Sequence, residues 1–142
     1  MPLVYFDSSA LVKLVVEEEG TDTASALWDR CDATLSSRLA YPEVQAALAA
    51  ARRNHDLTDR EVALALRAWE TLWPAIRPVE LTRAVERRAG DLAARRALRG
   101  RDAVHLASAL AVGEADLVVA VWDRRLHAGV VAEGLAVAPA RC

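Results

Sequence analysis

The stretch VYFDSSALVKL (residues 4–14) determines how the fold begins, because it places an apolar strand, an acid and a helix in direct succession. Residues 3–6 form a short apolar run, which is typical of a strand buried on both faces of a parallel sheet. Asp7 follows this strand at once, and a carboxylate is costly in such a place unless a partner compensates its charge. The rest of the sequence is therefore expected to supply a partner for Asp7.

The remainder of the chain alternates short strands with helices, without a linker or low-complexity segment. Further strands are predicted at 33–37, 76–81 (weakened by Pro78), 116–122 and 135–139. Helices are predicted after residue 7, at 21–28, 38–53, 57–74 and 83–99, from residue 102, and at 124–133. Strands separated by such helices pair in parallel through right-handed crossovers. The sequence therefore predicts one α/β domain over residues 1–142, with three layers around a central parallel sheet.

Composition limits the class of protein before any motif is considered. The chain has 142 residues, of which 54% are hydrophobic and 27% charged, as expected for a globular domain with a real core. No apolar run approaches the roughly 20 residues of a membrane span, and the N-terminus lacks the features of a signal peptide. Cys31 and Cys142 fit no metal-binding spacing. Two free thiols and a cytoplasmic location are expected, although the sequence leaves a disulfide between them open.

Charge is distributed unevenly along the chain. The net charge of −2 does not by itself indicate nucleic acid. Between residues 83 and 101, however, seven arginines (83, 87, 88, 95, 96, 99 and 101) face only two acids, Glu86 and Asp91. This segment is either a solvated helix face or a surface that contacts phosphates.

Four acids fall where the predicted fold brings chain segments together. Asp7 and Asp123 follow apolar strands, Asp102 opens a helix after a glycine turn, and Glu43 lies one turn into the helix after the second strand. Ligands of such sheets bind outside the carboxyl ends of the strands, so these acids are expected to converge there. Helix capping explains each aspartate alone, and the helix dipole explains Glu43, but neither explains a cluster. Clustered carboxylates need neutralisation, and Mg²⁺ or Mn²⁺ is the expected partner of Asp7.

Polar residues near the acids admit more than one interpretation. His105 lies one turn from Asp102 and either orients it, contacts substrate or has a structural role, the last being favoured. Ser8 and Ser36 are positioned to bond a carboxylate or a phosphate. His127 is expected to be exposed. No glycine-rich phosphate loop and no Ser-His-Asp or Cys-His arrangement indicates nucleophilic catalysis by a side chain.

Four segments in this order resemble PIN-domain ribonucleases, in particular the VapC toxins of bacterial toxin–antitoxin pairs: VYFDSSALVKLVVEE, SSRLAYPEVQAALA, RDAVHLASAL and VVAVWDRRLHAGVVAEGLAV. The resemblance implies a PIN fold, Mg²⁺- or Mn²⁺-dependent RNA cleavage, a homodimer and inhibition by a small antitoxin. Carried over by position, the four acids of the family are Asp7, Glu43, Asp102 and Asp123. The family often has a hydroxyl residue where this chain has Val121, so a supporting hydroxyl is missing here.

The expected reaction is metal-assisted hydrolysis of an RNA phosphodiester bond. Asp7 and Asp102 are the expected direct ligands, while Glu43 and Asp123 bind metal directly, act through water or help to activate the nucleophile. The residues expected to contact substrate are Ser8, Arg95, Arg96, Arg99 and Arg101. The sequence lacks the lysine after a late strand that a phospho-receiver domain needs. It also lacks the second acid that an aspartate phosphatase needs two residues after the first, since residue 9 is serine. A PIN-like module that binds RNA or protein without cleaving it is the remaining alternative.

Overall fold

The computed structural model describes residues 2–142 as five strands and seven α-helices in alternation. The strands are β1 (Leu3–Phe6), β2 (Ala33–Ser37), β3 (Arg77–Val79), β4 (Leu117–Ala120) and β5 (Ala136–Ala138). The helices are α1 (Ser8–Val15), α2 (Thr21–Arg30), α3 (Ala40–Arg53), α4 (Asp59–Leu72), α5 (Arg83–Arg96), α6 (Gly100–Val112) and α7 (Arg124–Ala132), with a short 3-10 helix at Trp73–Ala75.

The five strands form one sheet in the order β3-β2-β1-β4-β5, and all neighbouring strands are parallel. β1 is the central strand, and it pairs with β2 on one side and with β4 on the other. Val4, Tyr5 and Phe6 are consequently inaccessible to solvent. The prediction of a three-layer α/β domain with a parallel sheet is confirmed.

Alternation along β1 divides the core between the two faces of the sheet. Tyr5 belongs to a cluster packed under α5, α6 and α7. Val4 and Phe6 belong to a second cluster, packed under α1, α3 and α4. The strand that ends in Asp7 is therefore held from both sides, and this fixes the place where its carboxylate emerges.

The predicted boundaries hold to within a few residues, with one difference that concerns the site. α6 begins at Gly100 rather than at Asp102, because the chain turns through Ala97, which has a φ of 53°. Arg99 is the residue before the first turn of α6, and Asp102 lies inside that turn. The interpretation of Asp102 as a helix cap is therefore wrong. Pro78 is tolerated in β3 because this strand is at the edge of the sheet.

Three further expectations have outcomes in the structure. His127 is buried, not exposed, and its Nε2 lies 2.8 Å from the carbonyl oxygen of Pro139. Cys31 and Cys142 are free thiols. Within residues 2–142, no helix has the length and apolarity needed to cross a membrane.

Candidate active site at the carboxyl edge of the sheet

A groove of about 500 Å³ opens at the carboxyl edge of the sheet, between the start of α1, one face of α3 and the start of α6. All four predicted acids line it. We call it the acidic groove, and it is lined by Asp7, Ser8, Ser9, Val12, Glu43, Ala46, Ala47, Ala50, Arg53, Arg99, Arg101, Asp102 and Asp123. The structure thus brings together acids that lie more than a hundred residues apart in the chain.

Asp7 is the most enclosed acid of the groove, with 3% of its surface exposed. Its Oδ1 accepts hydrogen bonds from the backbone N–H of Ala10 (2.9 Å) and from Ser9 Oγ (2.7 Å), and Ser9 Oγ also lies 2.9 Å from Oδ2. Burial raises the pKa of Asp7 to about 6, although the nearby His105 and these hydrogen bonds act to lower it. Asp7 therefore does cap α1, but capping leaves much of its charge uncompensated.

Glu43 reaches the groove from the first turn of α3 and is held there by a histidine. Its Oε1 lies 2.6 Å from His105 Nε2, and His105 Nδ1 lies 2.8 Å from the Tyr5 hydroxyl. His105 is 2% exposed. Although His105 is one turn from Asp102 in sequence, its partner is therefore Glu43 on the opposite layer.

Asp102 and Asp123 share one arginine as their counter-ion. Arg99 Nε donates to Asp102 Oδ2 at 3.0 Å, and its Nη2 donates to Asp123 Oδ2 at 3.1 Å. Asp123 Oδ1 also accepts from the backbone N–H of Leu126, so this acid caps α7 as expected. Arg99 is half exposed, and it ties the start of α6 to the start of α7 across the groove.

The donor chemistry of the groove fits a hard divalent cation, because four carboxylates with oxygen ligands converge there. In the arrangement described for residues 2–142, no three acidic, histidine or cysteine side chains are close enough together to form a ready-made metal site. The contacts explain this, since Arg99 holds two of the carboxylates and His105 holds a third. A cation that took Asp102 Oδ2 or Asp123 Oδ2 as a ligand would compete with Arg99 for that oxygen.

The predicted basic residues occupy two different environments. Arg95 pairs with Asp91 (2.8 Å) and Arg96 with Glu133 (2.6 Å), and neither lines the acidic groove. Arg99 and Arg101 do line it. Contact of Arg95 and Arg96 with substrate stays a prediction, and their ion pairs favour the solvated-face interpretation.

Sequence reasoning missed Arg53, the last residue of α3, which also lines the groove. Helical spacing was the available signal: residues 46, 47, 50 and 53 follow Glu43 along one face of α3. Three of these residues are alanines, so the floor of the groove stays open between Glu43 and Arg53. Within residues 2–142, neither Arg53 nor Arg101 forms an ion pair with an acid, and both are exposed.

The serines also differ from expectation. Ser8 lines the groove, but it is Ser9, a residue not singled out by the sequence, that bonds Asp7. Ser36 is buried and donates to the carbonyl oxygen of Phe6 at 2.6 Å, so it supports the strand and not a ligand. Val121 is fully buried in the core beneath the groove.

Residues 4–128 match the PIN domain family, and the chain therefore belongs to that family. Its place within the family is the VapC group. Ribonuclease VapC45 of Mycobacterium tuberculosis (strain CDC 1551 / Oshkosh) is 70% identical over 141 residues, which cover 99% of this chain and 98% of that relative.

Two solved structures share the fold at low sequence identity. The crystal structure of Mycobacterium tuberculosis VapC20, a toxin that cleaves the sarcin–ricin loop, superposes with a TM-score of 0.67 at 19% identity and covers 93% of this chain and 95% of that one. A toxin–antitoxin complex from Klebsiella pneumoniae superposes with a TM-score of 0.64 at 19% identity and covers 89% and 92%.

We expect Asp7→Asn to remove the pH dependence that this buried carboxyl imposes on stability. Because the pKa is raised in the folded protein, ionisation of Asp7 costs stability as pH rises from about 4 through about 6. In EDTA, wild type should lose about 2 to 3 kcal/mol relative to Asp7→Asn between pH 4 and pH 7.5, at 1.36 kcal/mol per pKa unit. Urea unfolding at both pH values measures this difference.

Asp56→Asn is the matched control, since Asp56 is an exposed aspartate outside the acidic groove. Unfolding free energies of wild type and Asp7→Asn that change in parallel with pH would contradict the assignment.

Proposed function

We propose that this chain is a metal-dependent endoribonuclease that acts as the toxin of a toxin–antitoxin pair and hydrolyses RNA phosphodiester bonds. The observation that carries the proposal is the convergence of Asp7, Glu43, Asp102 and Asp123 on one groove. The 70% identity to a protein named a ribonuclease over nearly the whole chain supports it.

Mg²⁺ or Mn²⁺ is the proposed cofactor, with Asp7 and Asp102 as direct ligands. Glu43 and Asp123 bind the cation directly or through water, or help to activate the nucleophile. When bound, such a cation lowers the pKa of a coordinated water and stabilises negative charge on the phosphate. The raised pKa of Asp7 supports this choice, because a buried carboxylate with incomplete compensation is stabilised by a cation.

The residues around the carboxylates have separate tasks in this proposal. Ser9 and the backbone of Ala10 fix the orientation of Asp7. Arg99 pairs with Asp102 and Asp123 and is half exposed, so its guanidinium would also be able to contact a phosphate oxygen of bound RNA. Arg53 and Arg101 line the groove, and within residues 2–142 neither pairs with an acid, so both would be able to contact the RNA backbone.

Cleavage should depend on a divalent cation. We expect EDTA to abolish cleavage of RNA by the purified protein, Mg²⁺ or Mn²⁺ to restore it, and Asp7→Asn to remain inactive after the metal is restored. Gel analysis of a labelled RNA under these three conditions measures the effect. Asp56→Asn, purified in the same way, is the control that should cleave like wild type. If wild type and Asp7→Asn both cleave RNA undiminished in EDTA, the activity comes from a contaminating nuclease. If wild type cleaves undiminished in EDTA and Asp7→Asn does not cleave, the metal mechanism is overturned.

The same assay separates this proposal from its alternative, a PIN-like module that binds RNA or protein without cleavage. That alternative predicts RNA binding by wild type with no cleavage under any metal condition. The presence of all four acids in one groove favours the enzyme.

The salt dependence of RNA binding should identify the arginines that contact phosphates. In an Asp7→Asn background, which prevents cleavage, Arg53→Gln with Arg101→Gln removes two unpaired charges beside the groove. We expect the slope of log affinity against log salt to flatten by about 1.4, at about 0.7 per phosphate contact with a single strand. Fluorescence anisotropy with a labelled single-stranded RNA between 50 and 300 mM salt, about the range over which such contacts weaken, measures it.

Arg95→Gln with Arg96→Gln is the matched pair, because it removes equal charge from arginines that already pair with acids. If the slope flattens in Arg95→Gln/Arg96→Gln and stays unchanged in Arg53→Gln/Arg101→Gln, then Arg95 and Arg96 are the residues that contact the RNA.

A small antitoxin is the proposed partner, bound as a peptide in the apolar groove between α1 and α4. A cleft of about 200 Å³ lies there, lined by Val15, Val16, Leu57 and Leu64 together with two acids, Glu17 and Glu61. Leu64 is 53% exposed. Val12, one turn earlier on α1, lines the acidic groove, so one helix borders both. A basic side chain of the bound peptide would therefore reach the carboxylates and compete with the cation.

Antitoxin affinity should depend on both parts of this surface. We expect Asp7→Asn to weaken binding without abolishing it, since the apolar contacts remain, and Leu64→Asp to weaken it by loss of apolar burial. Calorimetry against the purified antitoxin measures both, with Val131→Asp as a control at an equally exposed apolar residue elsewhere. Equal affinity of wild type and Asp7→Asn would show that the antitoxin does not use this carboxylate.

A homodimer in the cytoplasm completes the proposal. A largely apolar surface that includes Tyr41, Pro42, Trp73 and the 54% exposed Leu81 supports self-association. Light scattering distinguishes a dimer from a monomer of 15.4 kDa. The two free thiols are compatible with a reducing compartment, and cell fractionation tests the location.

A further inference from the structure

A chain of hydrogen bonds runs from the core of the sheet to the acidic groove. It begins at the hydroxyl of Tyr5 on β1, passes through both ring nitrogens of His105 on α6 and ends at Oε1 of Glu43 on α3, over 2.8 Å and 2.6 Å. The Tyr5 and His105 rings meet edge to face, with centroids 5.9 Å apart and planes at 77°. Tyr5 is fully buried and His105 is 2% exposed, so the bond between them is shielded from water, whereas Glu43 is 14% exposed at the groove.

The chemistry of Tyr5, His105 and Glu43 indicates which group donates and which accepts in each of the two hydrogen bonds. Burial raises the pKa of Tyr5 well above its ordinary value, so its hydroxyl keeps its proton and is able to donate. A carboxylate oxygen only accepts, so we assign the hydrogen between Glu43 Oε1 and His105 to Nε2. In that tautomer, Nδ1 is the atom that accepts from the Tyr5 hydroxyl. The two contacts are therefore satisfied together when the ring presents its N–H to Glu43.

The position of these groups in the fold indicates what the two hydrogen bonds hold together. Tyr5 and His105 belong to the layer beneath α6, whereas Glu43 belongs to the opposite layer, so the bonds join the two layers at the carboxyl edge of the sheet. β1 carries Tyr5, and Asp7 directly follows its last residue. The Glu43 side chain lines the acidic groove while its Oε1 is bonded to His105.

We propose that Tyr5 and His105 are positioning residues that hold the Glu43 carboxylate at a fixed place relative to Asp7, with one oxygen bonded to His105 and the other presented to the groove. This inference rests on the proposed metal-dependent function. Groups that orient a metal ligand through a histidine typically contribute 10- to 100-fold to metal affinity. His105 itself touches neither substrate nor cation.

Two substitutions at residue 105 separate the positioning role from simple packing. A glutamine places its amide nitrogen near the position of Nε2 and still donates to Glu43, whereas an asparagine places it near Nδ1 and does not reach. Both remove a buried ring, so both lose stability. Tyr5→Phe keeps the aromatic ring and removes only the hydroxyl.

The first measurement is made without metal or RNA. The chain has only three histidines, so ¹⁵N-histidine NMR in EDTA resolves the ring nitrogens of His105, and their loss in His105→Gln assigns them. We expect Nε2 protonated and Nδ1 unprotonated in wild type, and a shift of this balance in Tyr5→Phe and in Glu43→Gln. Protonation on Nδ1 alone in wild type would overturn the proposed direction of the chain.

The second measurement is Mn²⁺ affinity by calorimetry, with kcat and KM for RNA cleavage beside it. We expect His105→Asn to weaken Mn²⁺ binding by about tenfold or more, to lower kcat and to leave KM for RNA nearly unchanged. His105→Gln should recover most of the loss. His105→Asn added to Glu43→Gln should cost nothing further, because the two residues act as one unit.

The outcomes distinguish this inference from the function on which it rests. If wild type binds Mn²⁺ and cleaves RNA but His105→Gln and His105→Asn are equally impaired, or their effects add to that of Glu43→Gln, His105 has only a packing role. If wild type neither binds Mn²⁺ nor cleaves RNA, the proposed function fails and the positioning role fails with it, whatever tautomer NMR reports.

Discussion

Compensation of carboxylate charge at one edge of the sheet is the constraint on which the site depends. Parallel pairing of the central strands brings Asp7 and Asp123 to the same edge, and α3 and α6 add Glu43 and Asp102. Like charges in this proximity destabilise the fold unless each finds a partner. The chain supplies three kinds of partner. Hydroxyl and backbone donors bond Asp7, a histidine bonds Glu43, and one arginine pairs with both Asp102 and Asp123.

These partners differ in how readily they give way. Arg99 is half exposed, and an ion pair with solvent access contributes little, so a divalent cation or a phosphate competes with it at small cost. The His105 ring is buried, and removal of either of its partners, the Tyr5 hydroxyl or the Glu43 carboxylate, leaves a buried ring nitrogen unsatisfied. The groove therefore combines one replaceable counter-ion with one rigid support, which suits a site that must admit a charged ligand without losing its shape.

The architecture around β1 explains why the support is rigid. Both neighbours of β1 are parallel strands, and its side chains alternate between two separate apolar clusters. A movement of β1 would disturb both layers together, because packed interiors tolerate little change of volume. The groove itself is not filled by side chains. Its floor on α3 consists of alanines, so it stays open from Glu43 to Arg53.

The sequence by itself determined the α/β class, the elements to within a few residues and the four acids, because burial periodicity and the position of an acid after a strand are local properties. It did not determine which partner each acid takes. His105 is one turn from Asp102 in sequence but bonds Glu43, since helix α6 turns that side chain toward α3. Arg53 lies ten residues beyond Glu43 and reaches the groove only because both lie on one face of α3. Arg95 and Arg96 carry the same charge as Arg101, but Asp91 on the preceding turn of α5 and Glu133 just after α7 pair with them and not with Arg101. These pairings depend on distances between residues far apart in the chain, and only the packed tertiary structure sets such distances.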